Sequence, residues 1–178
     1  DDIDDNSPRR LSIMASMGTG LRNDQFHLCY QPKVHLESDR VRSCEALIRW
    51  NHPERGMLSP GEFIPLAEMN DSIILITDWV IDTALKQIGL WVENEAPIKV
   101  SINVSTRNLL DENLIPYLSQ KLIEYAVPAH LLEIEITESA LMADPERALE
   151  TLKKISALGV SISVDDFGTI VIIRFRPI

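Results

Sequence analysis

At 178 residues, with 45% hydrophobic and 25% charged residues, the chain can bury one core and does not have the composition of a disordered polypeptide. Seventeen basic against 27 acidic residues leave a net charge of −10, which argues against non-specific attraction to DNA or RNA polymers or to anionic membranes. Two cysteines make no disulfide framework, no secretory signal opens the sequence, and aliphatic stretches such as Ile73 to Ile76 fall far short of the roughly 20 residues of a membrane span. A cytoplasmic location is expected, with no membrane insertion by this segment, although it can be the cytoplasmic part of a larger membrane-bound protein.

In chain order, Asp1 to Gly20 mixes an acidic cluster, Ser7-Pro8, Arg9-Arg10 and Gly18-Thr19-Gly20 without a sustained apolar period, and reads as a linker or frayed helix. Phe26 to Val34 and Val41 to Trp50 alternate apolar and polar residues around Glu37-Ser38-Asp39-Arg40, which predicts a hairpin. Ser59-Pro60-Gly61-Glu62 supplies a cap, a proline at the first helical position and an acid three residues after the cap, so a short helix starts there. A longer helix is expected from about Thr77 to Asn94, since Ile81, Leu85, Ile88 and Val92 fall on one helical face. Trp79 and Trp91 on it read as packing or rim residues.

Ile98 to Val104 follows as a strand, then a helix lined by Leu114, Leu118 and Leu122 that ends before Pro128. Leu132 to Thr137 is the next strand. Asp144-Pro145 opens a helix carrying Ala148, Leu152 and Ile155, which stops at Gly159. Val160 to Val164 is a strand running into Asp165-Asp166-Phe167-Gly168. This alternation with short links is the pattern of a parallel α/β architecture.

Glu45, Asn103, Glu135, Asp165 and Asp166 lie in these strands or at their ends. In an α/β barrel the parallel strands deliver their carboxyl ends to one face, so four carboxylates and an amide oxygen would share a small volume. All-oxygen ligands favour one or two hard divalent ions, Mg²⁺ or Mn²⁺, over zinc. Paired metals can activate water and stabilise a leaving oxygen in phosphodiester hydrolysis. Taken singly, each glutamate also reads as a solvated rim residue, Asp165-Asp166 as a turn, and Asn103 as a hydrogen-bonded amide. His27, His35 and His130 show no metal-site spacing, and His52 reads as a loop residue. Cys29 and Cys44 read as buried thiols, and Lys33 as solvated.

Tyr30-Gln31-Pro32-Lys33, Glu45-Ala46-Leu47-Ile48-Arg49-Trp50, Ser59-Pro60 through Phe63-Ile64-Pro65-Leu66-Ala67-Glu68, Asn103-Val104-Ser105, Glu135-Ile136-Thr137-Glu138 and Asp165-Asp166-Phe167-Gly168-Thr169 together resemble the EAL family, from about Asp24 to Thr169. The resemblance implies an α/β fold, a TIM-like (β/α) barrel whose first strand is antiparallel, incomplete in this chain. It implies hydrolysis of cyclic di-GMP to linear pGpG with Mg²⁺ or Mn²⁺, in bacterial second-messenger signalling. Glu45, Asn103, Glu135, Asp165 and Asp166 match metal ligands, with Glu45, Asp165 and Asp166 also taken as catalytic. Gln31 and Arg49 match substrate contacts, and Glu138 matches the residue that holds the loop after the aspartate pair. A homodimer and an upstream sensor or GGDEF domain are compatible with the resemblance.

After Thr169 the family continues with glycine, an aromatic residue and serines, whereas this sequence runs Ile170-Val171-Ile172-Ile173-Arg174-Phe175-Arg176-Pro177-Ile178. The family's later lysine, metal-binding glutamate and glutamine are not in it. The expected divisions are 1–23 as linker or extension, 24–169 as the EAL domain and 170–178 as an atypical tail. An open sheet with an apolar interior is expected, and the 178-residue polypeptide alone is expected not to hydrolyse cyclic di-GMP at a rate typical of an enzyme, even with Mn²⁺. The alternative function is an inactive module that binds cyclic di-GMP or a protein partner; a nonfunctional fragment is a third reading.

Overall fold

The computed structural model describes residues 8–35, 40–165 and 171–172, with the backbone alone described at His35, Arg40, Glu138, Asp165, Val171 and Ile172. Helix α1 (Pro8–Arg22) leads into β1 (Phe26–His35) and β2 (Arg40–His52), and β3 (Gly56–Leu58) folds back on β2. Then come α2 (Pro60–Glu68), α3 (Ser72–Glu93), β4 (Lys99–Asn103), α4 (Thr106–Leu109), α5 (Leu114–Glu124) and a 3-10 turn (Ala129–Leu131). The chain continues through β5 (Leu132–Thr137), α6 (Glu138–Ala143), α7 (Pro145–Ala157), β6 (Ser161–Asp165) and β7 (Val171–Ile172).

The sheet order is β1-β2-β4-β5-β6-β7, and it is not closed among the described residues. β1 is antiparallel to β2, from Phe26 opposite Trp50 onward, β2, β4, β5 and β6 run parallel to one another, and β7 is antiparallel to β6. The antiparallel first strand and the parallel series are therefore both as the resemblance implies.

Residues paired across neighbouring strands share a face. Cys44, Ala46, Ile48 and Trp50 of β2, Val100 and Ile102 of β4, Leu132, Ile134 and Ile136 of β5, and Ile162 and Val164 of β6 are buried in the hydrophobic core. The opposite face carries Ser43 and Glu45, Lys99, Ser101 and Asn103, Glu133 and Glu135, and Ser161 and Ser163, as the pairings Glu45–Ser101, Asn103–Glu135 and Glu135–Ser163 require. This inner face is polar, not apolar as expected. The period of two sends the isoleucines of β2, β4, β5 and β6 to the core side, and on the other side Lys99 pairs with Glu133 and Lys33 with Glu135.

Local signals place most helix ends. In α2, Glu62 accepts from the Ser59 N–H at 2.9 Å and from its hydroxyl at 3.0 Å, and these bonds, the backbone one foremost, hold its carboxyl below the usual range. Asp144 accepts from the Arg147 N–H at 3.3 Å, and Gly159, at φ +89°, ends the turn after α7.

Other expectations are corrected. Helix α3 starts at Ser72, ahead of Thr77, because Ile73 and Ile76 extend the buried stripe backwards from Val80 and Ile81. The opening segment expected to be a linker or frayed helix is helical from Pro8, with Ile13, Met17 and Gly20 buried. A Cβ at Gly20 would lie 2.9 Å from Phe26 and 3.0 Å from the Trp50 indole nitrogen, so glycine permits that approach. His52 belongs to β2, not a loop, and is 5% exposed. Its Nδ1 accepts from the Glu54 N–H at 3.2 Å, leaving Nε2 to donate to the Ser16 hydroxyl at 3.3 Å in the neutral ring. Cys29 is exposed and faces Leu47, whereas Cys44 is buried and faces Pro32, so the two thiols are not neighbours across the hairpin. Burial pushes the Cys44 thiol up. Trp79 and Trp91 do pack, against Phe26 at 6.1 Å and Tyr30 at 5.2 Å between ring centres.

Gly89, buried near the C-terminal end of α3, allows a first stability prediction. Alanine there gains up to about 1 kcal/mol of helix propensity. Its Cβ, however, would sit 2.8 Å from the Tyr125 carbonyl oxygen just past α5, an overlap with backbone. Such overpacking costs about 1–3 kcal/mol, so Gly89→Ala should be net destabilising in urea unfolding. A raised midpoint would mean that α5 slides away freely.

Candidate metal and phosphate site

Parallel β2, β4 and β5 lie side by side, and their register sets the site. Glu45 stands opposite Ser101, and Asn103 opposite Glu135, so these side chains occupy successive positions on the polar face towards the carboxyl ends of the strands. Asn103 Nδ2 donates to Glu45 Oε1 at 2.9 Å. With its N–H group turned to Glu45, the Asn103 amide keeps Oδ1 for another partner. Thr137 at the end of β5 is paired with Asp165, which brings the Asp165 backbone to the same edge one strand further on.

Glu135 is 8% exposed, deep for a carboxylate. Lys33 Nζ donates to its Oε1 and also to Ser101 Oγ, the latter at 2.8 Å. The reading of Lys33 as solvated is therefore wrong. The signal was present in the sequence, because Lys33 is two residues from Gln31 on an alternating strand and so shares its face.

Gln31 is exposed and stands opposite Glu45 on β1. Arg49 lies four residues after Glu45 on the same face, half-buried; its Nη1 donates to the Ile48 carbonyl at 2.8 Å, and it has no carboxylate partner among the described residues. Of the other residues singled out in the sequence, Asp166 lies outside the described residues, as do the side chains of Asp165 and Glu138. Glu138 is the first residue of α6.

Beside this polar edge is a cleft of about 400 Å³ between α2, α3 and the strand ends. Leu47, Ile64, Ile76 and Val80 form apolar walls, and Asn103, Glu135 and Thr137 the polar one. The loop after Asn103 is tied to α3 by a buried residue the sequence reading missed: Asn108 Oδ1 accepts from Thr77 Oγ1 at 3.1 Å and from Ser105 Oγ at 2.6 Å. The spacing Ser105-x-x-Asn108, a capping pattern, was its available signal.

Among the described residues, no group of three or more His, Cys, Asp or Glu side chains is gathered closely enough to hold a metal ion. The donors that the strand register aligns, the Glu45 and Glu135 carboxylates and the Asn103 amide, are all oxygens of the kind a hard divalent cation takes. Ser163 Oγ, opposite Glu135 in the row towards β6, is buried and has no hydrogen-bond partner among the described residues.

Residues 14–171 match the family model of the EAL domain. The chain is 37% identical over 166 residues to the bifunctional diguanylate cyclase/cyclic di-GMP phosphodiesterase MucR of Pseudomonas aeruginosa, covering 92% of this chain and 24% of MucR. It is 38% identical over 159 residues to the cyclic di-GMP phosphodiesterase PdeR of Escherichia coli, covering 89% of this chain and 24% of PdeR. The chain thus spans about a quarter of these curated relatives. Among solved structures, the PaMucR phosphodiesterase in complex with c-di-GMP superposes with a TM-score of 0.83 at 36% identity, covering 89% of this chain and 64% of that one. No helix among the described residues is long and apolar enough to cross a membrane.

Proposed function

This chain belongs to the EAL domain family, and on that premise we propose that it carries the metal and phosphate site of a cyclic di-GMP phosphodiesterase that forms linear pGpG. The observation that carries the reading is the alignment of Glu45, Asn103 and Glu135 on three adjacent parallel strands, beside a cleft with apolar walls. The same reading assigns Asp165 and Asp166 to the ligand set and Glu138 to holding the loop that follows them. An upstream sensor or GGDEF domain, and action in the cytoplasm, belong to the proposal too.

Glu45 and Glu135 would hold Mg²⁺ or Mn²⁺ through charge, and Asn103 through its neutral Oδ1. When bound, the metal supplies an activated water and stabilises charge on the phosphate and leaving oxygen. Arg49 brings a fixed guanidinium fork to a phosphate oxygen, which suits its having no carboxylate partner among the described residues. Gln31, exposed opposite Glu45, offers an amide to the same ligand. The cleft walls exclude water from the apolar faces of the bases, which keeps the phosphodiester towards the polar wall.

The test uses the protein at its natural length, incubated with cyclic di-GMP and Mg²⁺ or Mn²⁺ and followed by chromatography. Appearance of pGpG that EDTA abolishes is expected. Binding without turnover would favour the non-hydrolysing module instead.

Recognition is tested separately. Arg49→Ala should weaken cyclic di-GMP binding about tenfold or more in calorimetric titration, the range for loss of a charged hydrogen bond. Lys33→Ala should cost less, since that charge is taken up by Glu135. Equal losses would make Arg49 a structural residue.

A further inference from the structure

We propose that Lys33 is a built-in competitor for the divalent cation: its ammonium neutralises Glu135 in the metal-free protein and must leave that carboxylate oxygen before a metal can take it. The inference rests on the reading of Glu135 as a metal ligand. Two features of the fold support it. First, the two glutamates of the site are treated differently. Glu45 meets the neutral amide of Asn103, whereas Glu135, the more deeply placed, meets a full positive charge. A carboxylate so little exposed needs a counter-charge when no metal is present.

Second, the route of the lysine is prepared. Lys33 starts on β1 and reaches β4 and β5, which requires crossing β2. The residue opposite it on β2 is Ser43, small enough to leave the path over the sheet open. Ser101 Oγ accepts a second hydrogen bond from Nζ at 2.8 Å. A lysine displaced from Glu135 therefore keeps one anchor and stays beside the site, ready to return when the metal leaves. Its role is to position and to compete; it is given no role in bond cleavage.

The inference separates Lys33 from a merely structural salt bridge. A structural pair would stabilise the fold equally with or without metal. A competitor stabilises the metal-free protein and opposes metal binding. Lys33→Met removes the charge and keeps most of the side-chain length. Titration with MnCl₂ should then show affinity on the order of tenfold tighter, the lower end of what one nearby charge does to proton binding by a carboxylate. The thermal midpoint without metal should fall, and saturating Mn²⁺ should raise it further in the variant than in the wild type. Lys33→Arg, which keeps the charge, should bind Mn²⁺ like the wild type. Lys33→Gln, which keeps a polar group for Ser101, serves the same comparison should the methionine variant fail to fold.

The outcomes are distinct. No binding of Mn²⁺ by the natural-length wild-type protein would overturn the metal reading and this inference with it. Wild-type binding that Glu135→Gln weakens, but that Lys33→Met and Lys33→Gln leave unchanged or weaken, would overturn the competitor role alone.

Discussion

In the protein at its natural length, if it hydrolyses cyclic di-GMP as proposed, replacing Glu45 by Gln should reduce turnover by at least about 10²-fold, because even residues behind metal ligands cost about 10–100-fold when changed. The substitution is nearly isosteric and keeps an oxygen that can accept from Asn103 Nδ2, the Glu45 partner at 2.9 Å. What it removes is one negative charge from a site whose only other carboxylate with a described side chain is Glu135. The fold should therefore survive, with circular dichroism and thermal midpoint close to wild type, while metal-dependent pGpG formation is lost. Unchanged turnover at saturating Mn²⁺ would take Glu45 out of the site.

The largest effect on stability should come from Trp50→Ala, at about 3–5 kcal/mol, the usual cost of truncating a large buried aromatic. Trp50 is fully buried and stacks on Phe26 at 4.8 Å, meets Phe63 edge-on at 5.6 Å, and donates its indole N–H to Gln25 Oε1 at 3.1 Å. Alanine would leave a cavity where α1, β1, β2 and α2 meet, and would strand the Gln25 amide. Against a total of about 5–15 kcal/mol for an ordinary domain, this loss amounts to between roughly a fifth and all of the stability. Urea denaturation followed by Trp79 and Trp91 fluorescence measures it; a loss under about 1 kcal/mol would mean the surrounding rings collapse into the space.

These two residues illustrate what was legible beforehand. Glu45 stood out because a carboxylate in a β-prone run, repeated near the ends of later strands, is chemically unusual in any arrangement. Trp50 read only as the end of an alternating stretch, since its ring partners come from β1 and α2 and its approach to α1 depends on Gly20. The inner face shows the same division. Serines, lysines and glutamates alternate visibly with isoleucines and valines, yet the interior of the open sheet was expected to be apolar, because alternation alone does not say which side the helices will cover.

By itself the sequence determined the order and type of nearly all the larger elements. It located the strand Leu132–Thr137 at its observed ends and the capping interactions at Ser59 and Asp144. It also determined the all-oxygen character of Glu45, Asn103 and Glu135 as donors. Those features depend on residues a few positions apart, so local periodicity and side-chain chemistry suffice. The tertiary structure alone decided that α1 docks on Trp50, that His52 is buried, and that Lys33 reaches Glu135 across 102 positions of chain. Each of these is a neighbour relation between strands or layers. It follows from sheet order and register, which fix which distant side chains share a face and how much solvent is left to them.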